Sequence, residues 1–237
     1  MLDILWEDAH LVAVAKPAGL ATVPGRGEPD SVLERMPGTR IVHRLDKDTS
    51  GVLLLAKDAA AQADLGRQFF KRLVKKEYLA LVAGSPAQDS GDIDSPIGPH
   101  PARPRIMHIV KNAKPSQTRW EVAQRLGPLT LLRCFPRTGR RHQIRVHLKS
   151  IGLPLAVDPA YNPPPHGTPP GIFLSGFKRN YHGKDQERPL IGRLSLHALR
   201  LSFADLNGTP VTIECPLPKD FRAVINALSK YAARIDS

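Results

Sequence analysis

One short stretch, HRLDKDTSG at residues 43–51, places an acid among several potential cations. The acid is Asp46, and its basic neighbours in the stretch are His43, Arg44 and Lys47. The Thr-Ser-Gly sequence that ends the stretch can hydrogen-bond the loop backbone and let it bend tightly. Such a loop can hold one carboxylate ionised and aim it in a fixed direction, as a nucleophile requires. A solvated turn, in which Asp46 is only a turn former, is the alternative interpretation.

A second stretch, PRTGRRHQIRVHL at residues 136–148, is a basic loop that leads into a predicted helix. The first three arginines of this stretch, Arg137, Arg140 and Arg141, could contact phosphate groups near the helix N-terminus. A solvated basic face is the alternative. Arg145 lies near the polar/apolar boundary of the helix, from which it could reach inward and pair with a carboxylate. Such a pair would lower the pKa of the acid and keep it charged at neutral pH.

A third stretch, KKEYLALVAG at residues 75–84, is typical of a strand with alternate side chains on one face. Tyr78 then shares a face with Ala80 and Val82. It could be a core aromatic whose hydroxyl finds a partner. It could also stack its ring on a planar substrate and offer its hydroxyl for proton transfer.

The charge balance indicates the class of partner. The 237 residues include 34 Lys and Arg against 22 Asp and Glu, a formal net charge of +12. An excess of this size favours polyanions, because binding them releases counterions. Nucleic acid is the first expectation. An anionic membrane surface is the second, although we find no basic amphipathic helix with aromatic anchors.

Neither a metal nor an organic cofactor is expected. The two cysteines, Cys134 and Cys215, lie in apolar runs without a Cys-x-x-Cys spacing, and none of the nine histidines has a spacing typical of a metal site. There is no Gly-rich phosphate loop. No apolar run approaches the roughly 20 residues that span a bilayer, and the first residues lack signal-peptide features, so a cytoplasmic location is the expectation.

The elements that must position these residues are mostly strands. Apolar or alternating runs bounded by turn residues predict strands in HLVAVAKP, GVLLLAK, KKEYLALVAG, TRWEVAQRL, LTLLRCFP, HALRLSF and TPVTIECPLP. Asn207-Gly208 predicts a hairpin. Three helices are predicted. The first is capped by Asp58, and its residues Leu65, Phe69 and Leu73 stack at i, i+4 and i+8. The second carries Ile144, Leu148 and Ile151 on one face and ends at Gly152. The third runs from about Lys219, and its core face consists of Phe221, Val224, Ile225 and Leu228. The proline-rich segment 162–171 predicts a stiff surface loop. An α+β fold around a large, mainly antiparallel mixed sheet fits best.

The motifs together resemble those of the RluA family of RNA pseudouridine synthases. HRLDKDTSGVLLLAK, KKEYLALVAG and RTGRRHQIRVHL occur in that family's order and spacing. The N-terminal WEDAHLVAVAKPAGLATVPG, the stretch LPLAVDPAYN and the C-terminal LSLHALRLSF and ECPLPKDFRAVINAL are also similar, so the resemblance covers nearly the whole chain. It implies the pseudouridine synthase fold, with two halves of the sheet flanking a central catalytic cleft.

The resemblance also implies residue roles. The family's catalytic Asp falls on Asp46, its active-site Tyr on Tyr78, and the Arg that forms an ion pair with the catalytic Asp on Arg145. The Arg that replaces a flipped base falls on Arg44. His43 and Lys47 would shape the loop or contact phosphate.

The implied reaction detaches uracil from ribose at N1 and rejoins it through C5. Asp46 would attack covalently or support an elimination at the sugar, and both routes stay open. The uridine must leave the stack to be reached. We expect residues 1–237 to form a single catalytic domain without an N-terminal S4 domain, a monomer that acts on tRNA, large-subunit rRNA or both.

Two other classes of function remain open at this stage. An RNA-binding or RNA-folding module would have no need of Asp46, Tyr78 and Arg145 together. A phosphoester hydrolase acting through Asp46 would need a metal cluster or a second carboxylate nearby, for which Asp48 is the only close candidate.

Overall fold

A computed structural model describes residues 2–25, 30–165, 171–178, 181 and 187–231. The chain divides into two compact units. Unit 1 comprises Met1–Tyr78 and His197–Pro216, and unit 2 comprises Leu79–Leu196 and Leu217–Ser237. In the part of the chain that the structure describes, no helix is both long and apolar enough to cross a membrane.

The secondary structure is mixed, as predicted. The strands are β1 (Ile4–Glu7), β2 (Leu11–Lys16), β3 (Arg40–Ile41), β4 (Ser50–Ala56), β5 (Lys75–Ala83), β6 (Ser90–Asp94), β7 (Ile97–His100), β8 (Arg103–Ile109), β9 (Gln117–Leu126), β10 (Leu129–Pro136), β11 (Leu196–Ala204) and β12 (Pro210–Glu214). The helices are α1 (Val32–Arg35), α2 (Ala59–Phe70), α3 (Gln143–Ser150) and α4 (Lys219–Tyr231), with a short 3₁₀ helix at Leu174–Gly176.

Hydrogen bonding joins ten strands in one sheet of order β1-β2-β4-β11-β5-β10-β9-β6, with β3 beside β4 and β12 beside β11. Neighbours such as β2–β4 and β9–β10 run antiparallel, whereas β4 and β11 run parallel. Strands β7 and β8 form a separate antiparallel pair. The predicted α+β class with a large, mainly antiparallel mixed sheet is confirmed.

The core of unit 1 explains the continuous apolar sequence of β4. All seven residues of β4 are buried, because β4 has neighbouring strands on both edges and α2 packs near it. Helix α2 begins as predicted, with the Asp58 side chain accepting a hydrogen bond from the Ala61 amide at 2.8 Å. Leu65 is fully buried, but Leu73 is 61% exposed, so the prediction that Leu73 continues the apolar stack of the helix is wrong. The helix ends at Phe70, before its apolar face would reach Leu73.

Unit 2 contains the β9–β10 hairpin, α3 and α4. Helix α3 is shorter than predicted, and Ile151, which was predicted to share one helix face with Ile144 and Leu148, lies beyond the helix and is 40% exposed. Gly152 follows with a φ of +78°, the left-handed conformation expected of a C-terminal stop. In α4, Phe221, Val224 and Leu228 are buried as predicted, while Ile225 is only half-buried. Of the proline-rich loop, residues 166–170 lie outside the described residues.

A buried lysine ties the loop that contains Asp46 to the rest of unit 1. Lys16 ends β2 and is 1% exposed. Its ammonium donates to the carbonyl oxygens of Pro17 at 3.0 Å, Leu20 at 2.6 Å and Lys47 at 2.8 Å. The turn after β2 and the residue after Asp46 therefore share one cation.

Two further side chains, Thr22 and His43, fix the same loop. The Thr22 hydroxyl donates to the Leu45 carbonyl at 2.8 Å and accepts from the Leu45 amide at 3.2 Å. His43 Nε2 accepts from the Leu54 amide in β4 at 3.0 Å, which makes Nδ1 the protonated nitrogen of the neutral ring. The His43 ring also stacks on Phe69 of α2, with 4.8 Å between ring centroids. The residues on both sides of Asp46 are thus fixed to strands and helix.

The state of His43 leads to a stability prediction. Burial, followed by the positive charge of Lys76, lowers the pKa of His43 to about 3. Below about pH 6.5 the unfolded chain binds a proton at His43, whereas the folded chain does not. The stability linked to this pKa shift is therefore fully present at neutral pH. It is lost progressively as the pH falls from about 6.5 towards 3.

We expect the free energy of unfolding of the wild type to fall about 1–2 kcal/mol more than that of His43→Gln between pH 7 and pH 5. Urea unfolding of both proteins at both pH values measures this difference. Glutamine can still accept from the Leu54 amide, so the comparison isolates the titration. Parallel pH profiles for the two proteins would show that His43 is not held neutral by the fold.

Candidate active site

Asp46 and Tyr78 are electrostatic neighbours in unit 1. Asp46 is half-buried, follows the buried Leu45, and its carbonyl accepts from the Thr49 amide at 3.1 Å. Tyr78 is also half-buried, on the face of β5 that carries Ala80 and Val82, as predicted. Burial and then the negative charge of Asp46 raise the pKa of the Tyr78 hydroxyl.

The raised pKa of Tyr78 restricts its chemistry. A phenol whose pKa lies above its ordinary value stays protonated at neutral pH. It can donate a hydrogen bond or a proton, or stack its ring on a base, but it is a poor phenolate base. The predicted roles of Tyr78 in stacking and proton transfer stay predictions.

The C-terminal end of the Asp46 loop is held by a close approach between strands. Ser50 Oγ and His197 Nδ1 are 2.9 Å apart, and His197 Nε2 lies 3.0 Å from the Cys215 carbonyl oxygen. At the next position Gly51 has a φ of +126°, and a Cβ there would overlap the backbone of Ala198. Glycine is required at this point because β4 and β11 approach too closely for any side chain.

Arg145 is held by a carboxylate that the sequence did not identify. Arg145 Nε donates to Asp158 Oδ2 at 2.8 Å and Nη2 donates to Asp158 Oδ1 at 2.7 Å. Both residues are buried, at 8% and 1% exposure. Asp158 Oδ1 also accepts from the amides of Ala160 at 3.0 Å and Tyr161 at 3.2 Å. This two-point pair fixes the plane of the guanidinium.

An aromatic ring completes the setting of Arg145. The guanidinium carbon lies 4.9 Å from the centroid of the buried Tyr161 ring. The Tyr161 hydroxyl accepts from the Met107 amide at 2.8 Å and lies 2.8 Å from His142 Nδ1. His142 has a φ of +54° and directly precedes α3. Arg145 is therefore positioned by a carboxylate on one side and an anchored ring on another.

The polar residues around Arg145 in the motif HQIRVH form hydrogen bonds that stabilise the fold. Gln143 accepts from the Thr138 hydroxyl at 2.7 Å and the Arg140 amide at 2.9 Å, and it donates to the Gln117 carbonyl at 2.9 Å. The fully buried His147 lies 2.8 Å from the Thr118 hydroxyl and 2.9 Å from the Ser95 carbonyl. These bonds fix the first turn of α3 and its loop.

The predicted RNA-binding residues occupy different settings. Arg44 is exposed, and so is Lys47, although the Lys47 carbonyl binds Lys16. His43 is used inside unit 1 to hold the loop. In unit 2, Arg137 and Arg141 are exposed, while Arg140 is half-buried with Nε 3.5 Å from the Pro115 carbonyl. Phosphate binding by all of them stays a prediction.

Asp46 and Tyr78 both belong to unit 1, where the charge of Asp46 acts on the Tyr78 hydroxyl, and Arg145 belongs to unit 2. The predicted ion pair between Arg145 and Asp46 would join the units, and it stays a prediction. Sequence reasoning missed three positioning residues: Lys16, Asp158 and Tyr161. All three lie in stretches that looked familiar, AVAKPAGL and LPLAVDPAYN, but neither stretch reveals by itself which atoms its polar residues bind.

The chain is similar to proteins of one family. Residues 10–150 match the family model described as RNA pseudouridylate synthase. A ribosomal large subunit pseudouridine synthase D of Nitrosomonas europaea is 41% identical over 96% of this chain, and a dual-specificity RNA pseudouridine synthase RluA of Vibrio cholerae is 39% identical over 69% of it. The chain covers 65% and 69% of these relatives' lengths.

A solved structure supports the same assignment. The human RNA pseudouridylate synthase domain containing 4 superposes with a TM-score of 0.75 at 26% sequence identity, over 96% of this chain and 93% of the human chain. The match of the family model and the identity to both relatives agree with the motifs around Asp46, Tyr78 and Arg145. The chain therefore belongs to the RNA pseudouridylate synthase family and, within it, to the RluA family.

Proposed function

We propose that this protein isomerises uridine in RNA to pseudouridine, with Asp46 as the nucleophile. The observation that carries the proposal is the position of Asp46, which is half-buried on a loop that is fixed on both sides of it. The charge of Asp46 also acts on the Tyr78 hydroxyl. Membership in the family supports the same reaction.

The proposed reaction needs no net gain or loss of atoms. The bond between N1 and C1′ breaks, the uracil turns, and a bond forms between C5 and C1′. C5 loses its proton to a base or to water, and N1 ends the reaction protonated. Asp46 either bonds covalently to the nucleoside or stabilises an elimination at the sugar, and both routes require an ionised carboxylate.

Tyr78, Arg145, Asp158 and Arg44 each have a proposed role in this reaction. Tyr78 stacks on the uracil ring and donates from its protonated hydroxyl. Arg145 forms an ion pair with Asp46, which lowers the pKa of the acid and orients it. Asp158 accepts from Nε and Nη2 of Arg145 and so fixes the plane of the guanidinium that is proposed to face Asp46. Arg44, which is exposed, fills the space left by the flipped base.

The class of RNA substrate is proposed from the names of the relatives and from the net charge of this chain. One relative is named for the ribosomal large subunit and another for dual specificity. A net charge of +12 supports a polyanionic substrate. We propose large-subunit rRNA as the first substrate to test, and tRNA, which the family resemblance also implies, as the second. That residues 1–237 act as one catalytic domain, as a monomer in the cytoplasm, stays a prediction.

The nucleophile is tested by Asp46→Asn. The substitution keeps the size of the side chain and removes the charge that either route requires. We expect pseudouridine formation to fall by at least about 10⁴-fold and RNA affinity to change by less than about threefold. The assay maps pseudouridine in rRNA and tRNA from a strain that lacks the gene. The proposal fails if the wild type modifies no site in these RNAs, or if Asp46→Asn modifies RNA as the wild type does.

The role of Arg145 is tested by Arg145→Ala. If Arg145 orients and charges Asp46, kcat should fall by about 10²-fold or more, while RNA affinity falls only slightly. Single-turnover rates and filter-binding affinities separate the two quantities. An equal loss of rate and affinity would mean that Arg145 binds phosphate instead.

The role of Asp158 as a positioning residue is tested by Asp158→Asn. An amide cannot hold both nitrogens of Arg145 as an anion does, so the guanidinium should lose its fixed plane. We expect kcat to fall roughly 10- to 100-fold with KM nearly unchanged, because small misplacements in an active site carry this cost. Steady-state kinetics measures the two parameters.

The matched control for Asp158→Asn is Asp220→Asn. Asp220 also binds an arginine at two points, with Arg193 Nε at 2.6 Å and Nη2 at 2.8 Å, within unit 2. Both variants lose stability, so a shared drop in Tm is expected. If Asp220→Asn lowers kcat as much as Asp158→Asn does, the effect of Asp158 is only structural.

A further inference from the structure

The turn between α2 and β5, residues 70–75, exposes apolar side chains that the fold does not use. Phe70 is 88% exposed and Leu73 is 61% exposed. Among the described residues, only two other large apolar side chains are comparably open, Ile4 and Ile151. Phe70 and Leu73 are three residues apart, so two of the four lie on one short turn.

The same turn is surrounded by positive charge. Lys71, Arg72 and Lys75 are exposed, and no acidic residue occurs from residue 65 to residue 76. Lys76 is half-buried, and burial together with the positive charge of Arg72 lowers its pKa to about 8. An open aromatic ring on a turn that carries several cations suits a partner that has flat rings and negative charge.

The backbone of the turn is held by its own hydrogen bonds. Helix α2 closes with bonds from the Lys71 amide to the Arg67 carbonyl at 2.8 Å and from the Leu73 amide to the Gln68 carbonyl at 2.9 Å. Between them Arg72 has a φ of +60°, in a position where glycine is the usual residue. A cation thus occupies a conformation that disfavours it, beside the exposed Phe70.

The turn is continuous with the proposed catalytic loop. Phe69, the residue before Phe70, stacks on His43, which lies three positions before Asp46. On the other side, β5 begins at Lys75 and carries Tyr78 three residues later. All of these residues belong to unit 1. A nucleic acid strand with its uridine at Asp46 and Tyr78 would therefore have flanking nucleotides near the turn.

We propose that the α2–β5 turn binds an unpaired nucleotide of the substrate RNA that flanks the target uridine. The base stacks on Phe70, and neighbouring phosphates contact Lys71, Arg72 and Lys75. This inference rests on the proposed function for the identity of the polymer. Two apolar side chains offer far less than the roughly 800 Å² per partner of a stable protein interface, and the concentrated positive charge disfavours a second copy of this chain.

The test measures binding without catalysis. In an Asp46→Asn background, a fluorescent single-stranded oligouridylate of about twelve nucleotides, a length within the usual site size for single strands, reports Kd by anisotropy. We expect Phe70→Ala to raise Kd about tenfold, the usual effect of losing one stacked base. Phe70→Trp should bind as well as Phe70, while Phe70→Leu, which keeps apolar surface without a ring face, should resemble Phe70→Ala.

The matched control is Ile4→Ala, which removes another exposed apolar side chain from unit 1 and should leave Kd unchanged. Arg72→Gly separates binding from folding. It removes a cation and suits the left-handed backbone, so Tm should hold or rise while Kd increases. The slope of log Kd against log salt should fall by about 0.7 for each phosphate of a single strand that the variant no longer neutralises.

The outcomes distinguish this inference from the proposed function. If Phe70→Ala binds the oligonucleotide like the wild type, or if Phe70→Leu does, stacking at the turn is refuted, even when pseudouridine still forms. If Kd depends on Phe70 but the wild type forms no pseudouridine in any RNA, the turn stands as an RNA site and the proposed reaction does not. A change from dimer to monomer in Phe70→Ala, seen by light scattering, would assign the turn to self-association instead.

Discussion

The conformation of the proposed catalytic loop depends on the hydrogen bonds that the buried Lys16 ammonium donates. Removing a lysine charge from water costs several kcal/mol, and hydrogen bonds to fixed oxygens must offset that cost. Three of them come from Pro17, Leu20 and Lys47, which belong to two separate loops. Neither loop can move away without leaving the cation short of acceptors. The buried charge thus links the conformation of the turn after β2 to the position of Asp46.

The anchors of the Asp46 loop share a second property. Lys16 binds a carbonyl, Thr22 binds both main-chain groups of Leu45, and His43 binds the Leu54 amide. Each of these bonds is made by a residue other than Asp46. Within unit 2, Arg145 is also oriented by other residues, namely Asp158 and Tyr161. In both units, the residue with a proposed catalytic role is positioned by residues that also stabilise the fold.

The sequence predicted what depends on local signals. The Asp58 cap, the Asn207-Gly208 hairpin between β11 and β12, and β10 at residues 129–136 follow from short patterns, and the structure confirms them. Leu73 was misplaced because helical periodicity does not say where a helix stops. Asp158 was missed as a partner because its pairing with Arg145 is set by the fold around two separate segments. Lys16 was missed because its described partners are main-chain oxygens, which have no sequence signature.

The exposed cations can explain affinity for RNA, but they cannot explain which RNA is selected. Exposed cations such as Arg44, Arg137 and Arg141 attract any RNA, and binding phosphate through them would carry no sequence information. Selectivity must come from groups that sense bases and shape, because a flipped uridine has the same ring wherever it occurs. In unit 1, the Tyr78 ring and the exposed Phe70 ring are two groups that could sense bases. An RNA that presents an unpaired base beside its target uridine would use both rings, whereas a uridine in an uninterrupted helix would reach only the first.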